Sequence, residues 1–257
     1  MLSKNQIKEI QALQLKKQRD IKKLFIAEGI KTIAEILKDH PIILKELFAT
    51  SAFIQTHKAE LRRLNIPFTE VSDEELKKIS LQANPNTVLA ICHYFKESNF
   101  AFDFEKQFSL YLDDVRDPGN LGTIIRLADW FGISTIFISK DTCDYYNPKV
   151  IQSTMGAFLR VRLITSDLQS LQEKFKITTT YGAVLNGKNI YRETLKNGLI
   201  VIGNEANGIS ADNLKWINQS LTIPSHRENG TESLNAAMAA SIITAEFFRQ
   251  LVTNVKV

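Results

Sequence analysis

The chain of 257 residues holds two cysteines, Cys92 and Cys143, far apart and in no metal-ligand spacing. That excludes a disulfide framework and a cysteine-bound zinc, and it fits a reducing cytoplasm. No run of about 18 apolar residues occurs, so no membrane span is expected. The start Met1-Leu2-Ser3-Lys4-Asn5 lacks the apolar stretch of a signal peptide. The histidines His40, His57, His93 and His226 do not cluster. There is no Ser-His-Asp order, no GxSxG elbow and no P-loop, which argues against serine hydrolases and nucleoside triphosphatases. Of eleven glycines, only Gly29 precedes residue 118. The first half therefore reads as regular and packed, the second as rich in turns and close approaches.

What is present is an ordinary globular composition, 44% hydrophobic and 23% charged, with a net charge of +4. The positive charge crowds the start, where Lys4, Lys8, Lys16, Lys17, Arg19, Lys22 and Lys23 face only Glu9 and Asp20. Such a segment can track phosphates, and Lys16, Lys17 and Arg19 are its candidate contacts. Charge alone equally fits a solvated helix face.

The first half alternates short helices and strands, a pattern that predicts a small α/β unit. A helix is expected over 4–18, a strand over 24–27, and a helix over 29–37. Ser72 followed by Asp73, Glu74 and Glu75 marks a capped helix start. We place domain 1–98 first, a linker over 99–107, and a second domain over 108–257. In the second domain strand and helix alternate regularly, from a strand at 109–115 to a closing helix at 235–252. That is the pattern of a mostly parallel sheet, whose ligands bind beyond the carboxyl ends of the strands.

Three loops at such strand ends carry polar residues. The first is Asp117-Pro118-Gly119-Asn120-Leu121-Gly122, with Arg126 on the helix that follows. Asn120 is placed to cap that helix. The second is Ile202-Gly203-Asn204-Glu205 with Gly208; its glycines do not match a dinucleotide fingerprint. The third runs from Ile223-Pro224 to Ser233-Leu234-Asn235, where Ser233 or Asn235 can cap a helix that begins with small residues. His226 is a weaker candidate for substrate contact. Each loop alone also fits a plain capped turn.

Taken together and in order, these loops resemble the signature of the SpoU/TrmH RNA methyltransferases. Asn147-Pro148-Lys149 with Ser153 and Gly156-Ala157 resembles the family's intermediate segment. The run Lys16-Lys17-Gln18-Arg19 and Phe25-Ile26-Ala27-Glu28-Gly29 resemble its smaller substrate-binding domain. The resemblance implies an α/β fold whose C-terminal, mostly parallel sheet carries a deep trefoil knot, beside a small N-terminal α/β substrate-binding domain. It implies S-adenosyl-L-methionine as cofactor, held at Leu185, Gly203, Ile223 and Leu234. It implies Asn120, Arg126, Glu205, Ser233 and Asn235 as catalytic residues, acting on a ribose 2′-hydroxyl without a metal. A cytoplasmic homodimer and an RNA substrate, ribosomal rather than transfer RNA, complete the expectation. The run 225–230 is longer and more polar than the family pattern. The rivals are an RNA-binding protein of this fold without turnover, a knotted base methyltransferase, and an unrelated small-molecule α/β enzyme.

Overall fold

The computed structural model describes residues 2–82, 84–85, 87–96, 102–226 and 232–251. In chain order the elements are α1 (Lys4–Ala12), α2 (Lys16–Lys22), β1 (Leu24–Glu28), α3 (Ile30–Asp39), β2 (Leu44–Ala49), α4 (Ser51–Leu64), β3 (Phe68–Glu70), α5 (Asp73–Ile79) and β4 (Val88–His93). They continue with β5 (Ser109–Leu112), α6 (Pro118–Trp130), β6 (Thr135–Ile138), α7 (Pro148–Thr154), β7 (Arg162–Thr165) and α8 (Leu168–Phe175). The last are β8 (Thr180–Asn189), β9 (Leu199–Ile202), α9 (Ala211–Leu214), β10 (Gln219–Thr222) and α10 (Ala236–Leu251).

The chain divides into two compact units. One is Met1–Ser98 together with Asp144–Leu159; the other is Asn99–Cys143 together with Arg160–Val257. The segment 144–159, expected with the second half, packs in the first unit instead, where α7 lies against β1. Part of the expected linker also belongs to a core. Phe104 is buried in the second unit, where its ring packs beside those of Phe102, Phe137 and Phe175. Residues 99–101 of that linker lie outside the described residues.

The first unit is a four-stranded sheet in the order β1-β4-β2-β3, with β2 and β3 parallel and the other pairs antiparallel. Period-two alternation splits its strands between two cores. Phe25, Ala27, Leu47 and Ala49 meet Ile33 and Ile36 of α3 and Phe53 and Leu61 of α4. Leu24, Ile26 and Phe48 meet Ile10 of α1 and Leu76 and Ile79 of α5. The box expected at Ser72 is formed: its hydroxyl accepts from the Glu75 amide, and the Glu75 carboxylate accepts from the Ser72 amide.

Two expectations fail here for one reason. The single helix expected over 4–18 is broken between Ala12 and Lys16. Arg19, expected as an RNA contact, is 1% exposed and faces inward. Its Nη1 donates to the Leu13 carbonyl at 2.8 Å and the Gln14 carbonyl at 2.7 Å, which satisfies carbonyls left open by the break. Its Nε and Nη2 both donate to the Asp144 carboxylate. Lys16 and Lys17, by contrast, are exposed.

The second unit is a six-stranded sheet in the order β10-β8-β9-β5-β6-β7, with every pair parallel. All residues of β5, β6 and β9 are buried, as parallel strands covered on both faces require. α10 packs on α6, with Phe131 and Phe248 ring centroids 5.0 Å apart and Phe108 and Phe247 5.5 Å apart. The strands are parallel, so the loops leaving β5, β8, β9 and β10 all emerge at one edge of the sheet, from four adjacent strands.

Breaking a buried ion pair strands the remaining charge. Arg19→Ala is expected to destabilise the chain by about 3 kcal/mol, and Lys16→Ala by less than about 0.5 kcal/mol. Urea unfolding of the full chain, followed by circular dichroism, checks both; equal midpoints for the two variants would remove Arg19 from the account of the first unit.

Candidate active site

The β5–α6 loop is built around a carboxylate cap. Asp117, not Asn120, caps α6: its Oδ1 accepts from the Asn120 amide at 2.8 Å. Pro118 opens the helix, where its missing N–H costs nothing. The expected cap at Asn120 is thus displaced by three residues, because an aspartate directly before a proline suits the cap geometry better. The displacement frees the Asn120 side chain. Its Nδ2 donates to Glu205 Oε1, and its Oδ1 accepts from Asn235 Nδ2 at 2.9 Å.

Asn235 in turn caps α10. Its Oδ1 accepts from the amides of Ala237 at 2.9 Å and Met238 at 3.2 Å. One asparagine therefore starts a helix with its oxygen and grips a second asparagine with its nitrogen. The result is a chain of hydrogen bonds, Asn235 to Asn120 to Glu205, that ties together the loops after β10, β5 and β9.

The loop after β9 holds Glu205 at its tip. Asn204 and Gly208 exchange two backbone hydrogen bonds of 2.9 Å each. The Asn204 Oδ1 accepts from the Ala206 and Asn207 amides, and its Nδ2 donates to the Asp114 carbonyl at 2.8 Å. Asp113, buried at the end of β5, accepts from the Ser210 amide at 2.7 Å. Gly203 must be glycine: a Cβ there would run into the backbone of Gly208 and Ile209. Sequence reasoning assigned no role to Asp113 or Asn204. The signal for Asn204 was available, since an asparagine side chain commonly accepts from the backbone amide two residues on, as it does here from Ala206.

A bulge at the end of β8 completes the edge. Tyr181 and Gly182 pair with Gln219 and Ser220, whereas Lys188 pairs with the next residue, Leu221, so residues 183–187 loop out. The Leu185 carbonyl accepts from Thr222 Oγ1 at 2.9 Å, which sets Leu185 beside the turn into Ile223. Gly187 lies so close to β10 that a Cβ would sit 2.6 Å from the Leu221 carbonyl carbon. Leu185 of β8, Leu234 before α10 and Met238 of α10 leave 68%, 42% and 57% of their surface exposed.

Arg126 lies on α6 beyond Asn120, exposed, and neither its guanidinium nor the Ser233 hydroxyl makes a hydrogen bond among the described residues. Gly203 and Ile223 are partly buried, and His226 is exposed. Residues 227–230 of the polar run lie outside the described residues. Lys16 and Lys17 belong to the first unit, apart in the chain from these loops. Two clefts, of about 460 and 690 Å³, are lined by residues of the first unit alone. Among the described residues no group of three His, Cys, Asp or Glu side chains is placed to hold a metal ion, and no helix is long and apolar enough to cross a membrane.

Comparison with known proteins gives this geometry a context. The SpoU rRNA methylase family model matches residues 107–245, and a model of the MRM3-like substrate binding domain matches residues 4–90. The 23S rRNA (guanosine(2553)-2′-O)-methyltransferase RlmP of Bacillus subtilis is 29% identical over 246 residues, which is 94% of this chain and 95% of that protein. A solved TrmH-family protein from Porphyromonas gingivalis is 32% identical, with a TM-score of 0.82 over 97% of this chain and 99% of the other. An rRNA methyltransferase from Sinorhizobium meliloti, solved with AdoMet bound, is 26% identical, with a TM-score of 0.84 over 98% and 97% of the two chains. The α/β fold with its parallel sheet, the three joined loops and the match across more than half of the residues lead to one statement: the chain belongs to the SpoU rRNA methylase family.

Proposed function

We propose that this protein transfers the methyl group of S-adenosylmethionine to a ribose 2′-hydroxyl of ribosomal RNA. The observation that carries the reading is the hydrogen-bonded series Asn235–Asn120–Glu205, which joins three strand-end loops, one of them leading into the helix that bears Arg126. Relatives named as ribosomal RNA ribose methyltransferases favour ribosomal over transfer RNA.

The residues present fit the cofactor. An adenosine needs apolar contact with its flat ring and backbone groups for its edge. Leu185 and Leu234 offer exposed apolar surface, and the looped-out 183–187 segment and the close-packed Gly203 turn bring main chain to the same edge. Leu185, Gly203, Ile223 and Leu234 would hold it. When bound, the cofactor supplies a methyl group already activated by the sulfonium.

The protein's own part is placement and charge. A ribose hydroxyl is a weak nucleophile, so it must be held in line with the methyl and relieved of its proton. Arginine is a donor-only side chain with a planar fork. In this reading Arg126 clamps the neighbouring phosphate and stabilises negative charge growing on the oxygen. Asn120 and Asn235 fix the approach of α6 to α10, Glu205 anchors Asn120, and Ser233 orients the ribose or phosphate. No metal takes part. The first unit binds the RNA, with Lys16 and Lys17 on its backbone, and the second unit carries out transfer. The reading extends to a chain threaded as a trefoil knot and working as a homodimer in the cytoplasm. The order β10-β8-β9, with α10 returning to α6 and Gly187 pressed on β10, supports the threaded chain.

Removing a preorganised transition-state donor costs about 10²–10³ in rate. Arg126→Ala is expected to lower transfer of labelled methyl to RNA by that factor while calorimetric affinity for S-adenosylmethionine stays within about twofold; retained turnover removes Arg126 from the mechanism. Gly203→Ala is expected to do the reverse in origin, weakening cofactor binding through the displaced loop, and unchanged affinity counts against the Gly203 turn as cofactor site. The double variant Lys16→Ala with Lys17→Ala is expected to raise KM for RNA and to reduce the slope of its logarithm against log salt by about 1.4, from about 0.7 per lost phosphate contact on single strands. An unchanged slope removes α2 from the RNA interface.

A further inference from the structure

The 460 Å³ cleft of the first unit takes no part in anything described above, and its volume falls within the roughly 300–1,000 Å³ of ordinary ligand sites. Its floor is apolar, from Ile26 of β1 and Ile151 of α7, both buried. Its rim is polar. Gln14, Lys149 and Gln152 are exposed there, and their side chains make no hydrogen bond or ion pair among the described residues. An apolar floor with a few convergent polar groups around it is the make-up of a small-ligand site, and an unpaired base offers both an apolar face and a hydrogen-bonding edge to meet it.

Glu28 sets the chemistry. One carboxylate oxygen accepts from the Ser80 hydroxyl and the other from the Leu81 amide, at 3.0 Å for the latter. These bonds fix the carboxylate, yet each oxygen keeps a second lone pair. Burial raises the Glu28 carboxyl above its usual range, and the two hydrogen bonds offset this only in part. A ligand that donates to both oxygens relieves that cost. Among the four RNA bases only guanine carries two adjacent donors on its pairing edge, N1–H and the N2 amino group, next to the O6 acceptor. Adenine, cytosine and uracil each set an acceptor against one of the two carboxylate oxygens.

Resting on the reading of this chain as an RNA methyltransferase, we propose that the cleft binds an unpaired guanine of the RNA, a nucleotide other than the one methylated. Glu28 accepts from N1–H and N2–H, Lys149 donates to O6, and the Gln14 and Gln152 amides meet the remaining edge. The cleft shares no residue with the three catalytic loops, so it selects sequence context without touching the reacting atoms.

The test uses the full chain and fluorescent single-stranded pentamers, all uridine except for a central G, A, C or U, read by anisotropy. The G pentamer is expected to bind about tenfold tighter than the other three, the discrimination of one good bidentate contact. Glu28→Gln, which sets a donor against N1–H, and separately Lys149→Ala and Gln152→Ala at the exposed rim, are expected to erase that preference. Calorimetry with S-adenosylmethionine is run on each protein. Equal affinity for all four pentamers, or a preference that survives in Glu28→Gln and in both rim variants, overturns the guanine site. Loss of the cofactor heat in the unaltered protein with the guanine preference intact supports the cleft and instead refutes the methyltransferase reading. The rim variants keep the test decisive should Glu28→Gln fail to fold.

Discussion

Everything in the second unit converges on the side-chain amide of Asn120. It is partly buried between two loops that offer it opposite demands: Glu205 presents only acceptors, and the Asn235 nitrogen presents only donors. A carboxamide is the one short side chain with a donor arm and an acceptor arm of fixed separation. Aspartate would face Glu205 with like charge, and an apolar residue would leave two polar groups unpaired, at about 1–3 kcal/mol each. The amide also sits in the first turn of α6, so meeting both partners fixes where that helix begins. The helix carries Arg126, and the arginine is thereby aimed by a bond that it does not itself make.

Under the proposed function, this arrangement separates the groups that hold the site from the groups that would act in it. Asp113, Asn204, Asn120 and Asn235 are spent on cross-links between loops. Among the described residues the Arg126 guanidinium and the Ser233 hydroxyl make no hydrogen bond. Preorganisation works in this way: reorganisation is avoided during reaction because the supporting bonds are already made. The glycines serve the same end by steric means. Gly203 and Gly187 let main chain approach main chain where any side chain would intrude, so this edge of the sheet is formed by backbone drawn tight.

Much of this was legible in the sequence, and the failures share a cause. Strands β5, β6 and β9 announce themselves as short apolar runs, and the Ser72 box marks α5, because these signals are local. The three loops were recognisable as a set, and they do meet. What could not be read were bonds between distant residues. Arg19 looked like one more exposed cation in a basic segment; its burial depends on Asp144, whose sequence neighbourhood gives no sign of packing beside α2. The break after α1 is stabilised by that same arginine, so periodicity alone predicted a continuous helix. The bulge in β8 has no composition signal, since Leu185 and Lys188 alternate as a strand would, and only pairing with β10 reveals the five extra residues.

The capping residue shows how a misread helix cap can still be the residue that joins the three loops. Asparagine after Pro-Gly is a good cap by propensity, and aspartate before proline is a better one by geometry. Had Asn120 capped α6, its oxygen would be spent on a main-chain amide and could not receive Asn235. The cap at Asp117 is therefore a condition of the site and not a detail of helix termination. The same logic holds at α10, where the cap and the cross-link are one residue because asparagine has two arms. A carboxylate can start a helix, and an amide can start one and hold a neighbour as well. The difference decides which of the two residue types stands at each helix entrance: aspartate at α6, where the loop needs only an end, and asparagine at α10, where it also needs a tie.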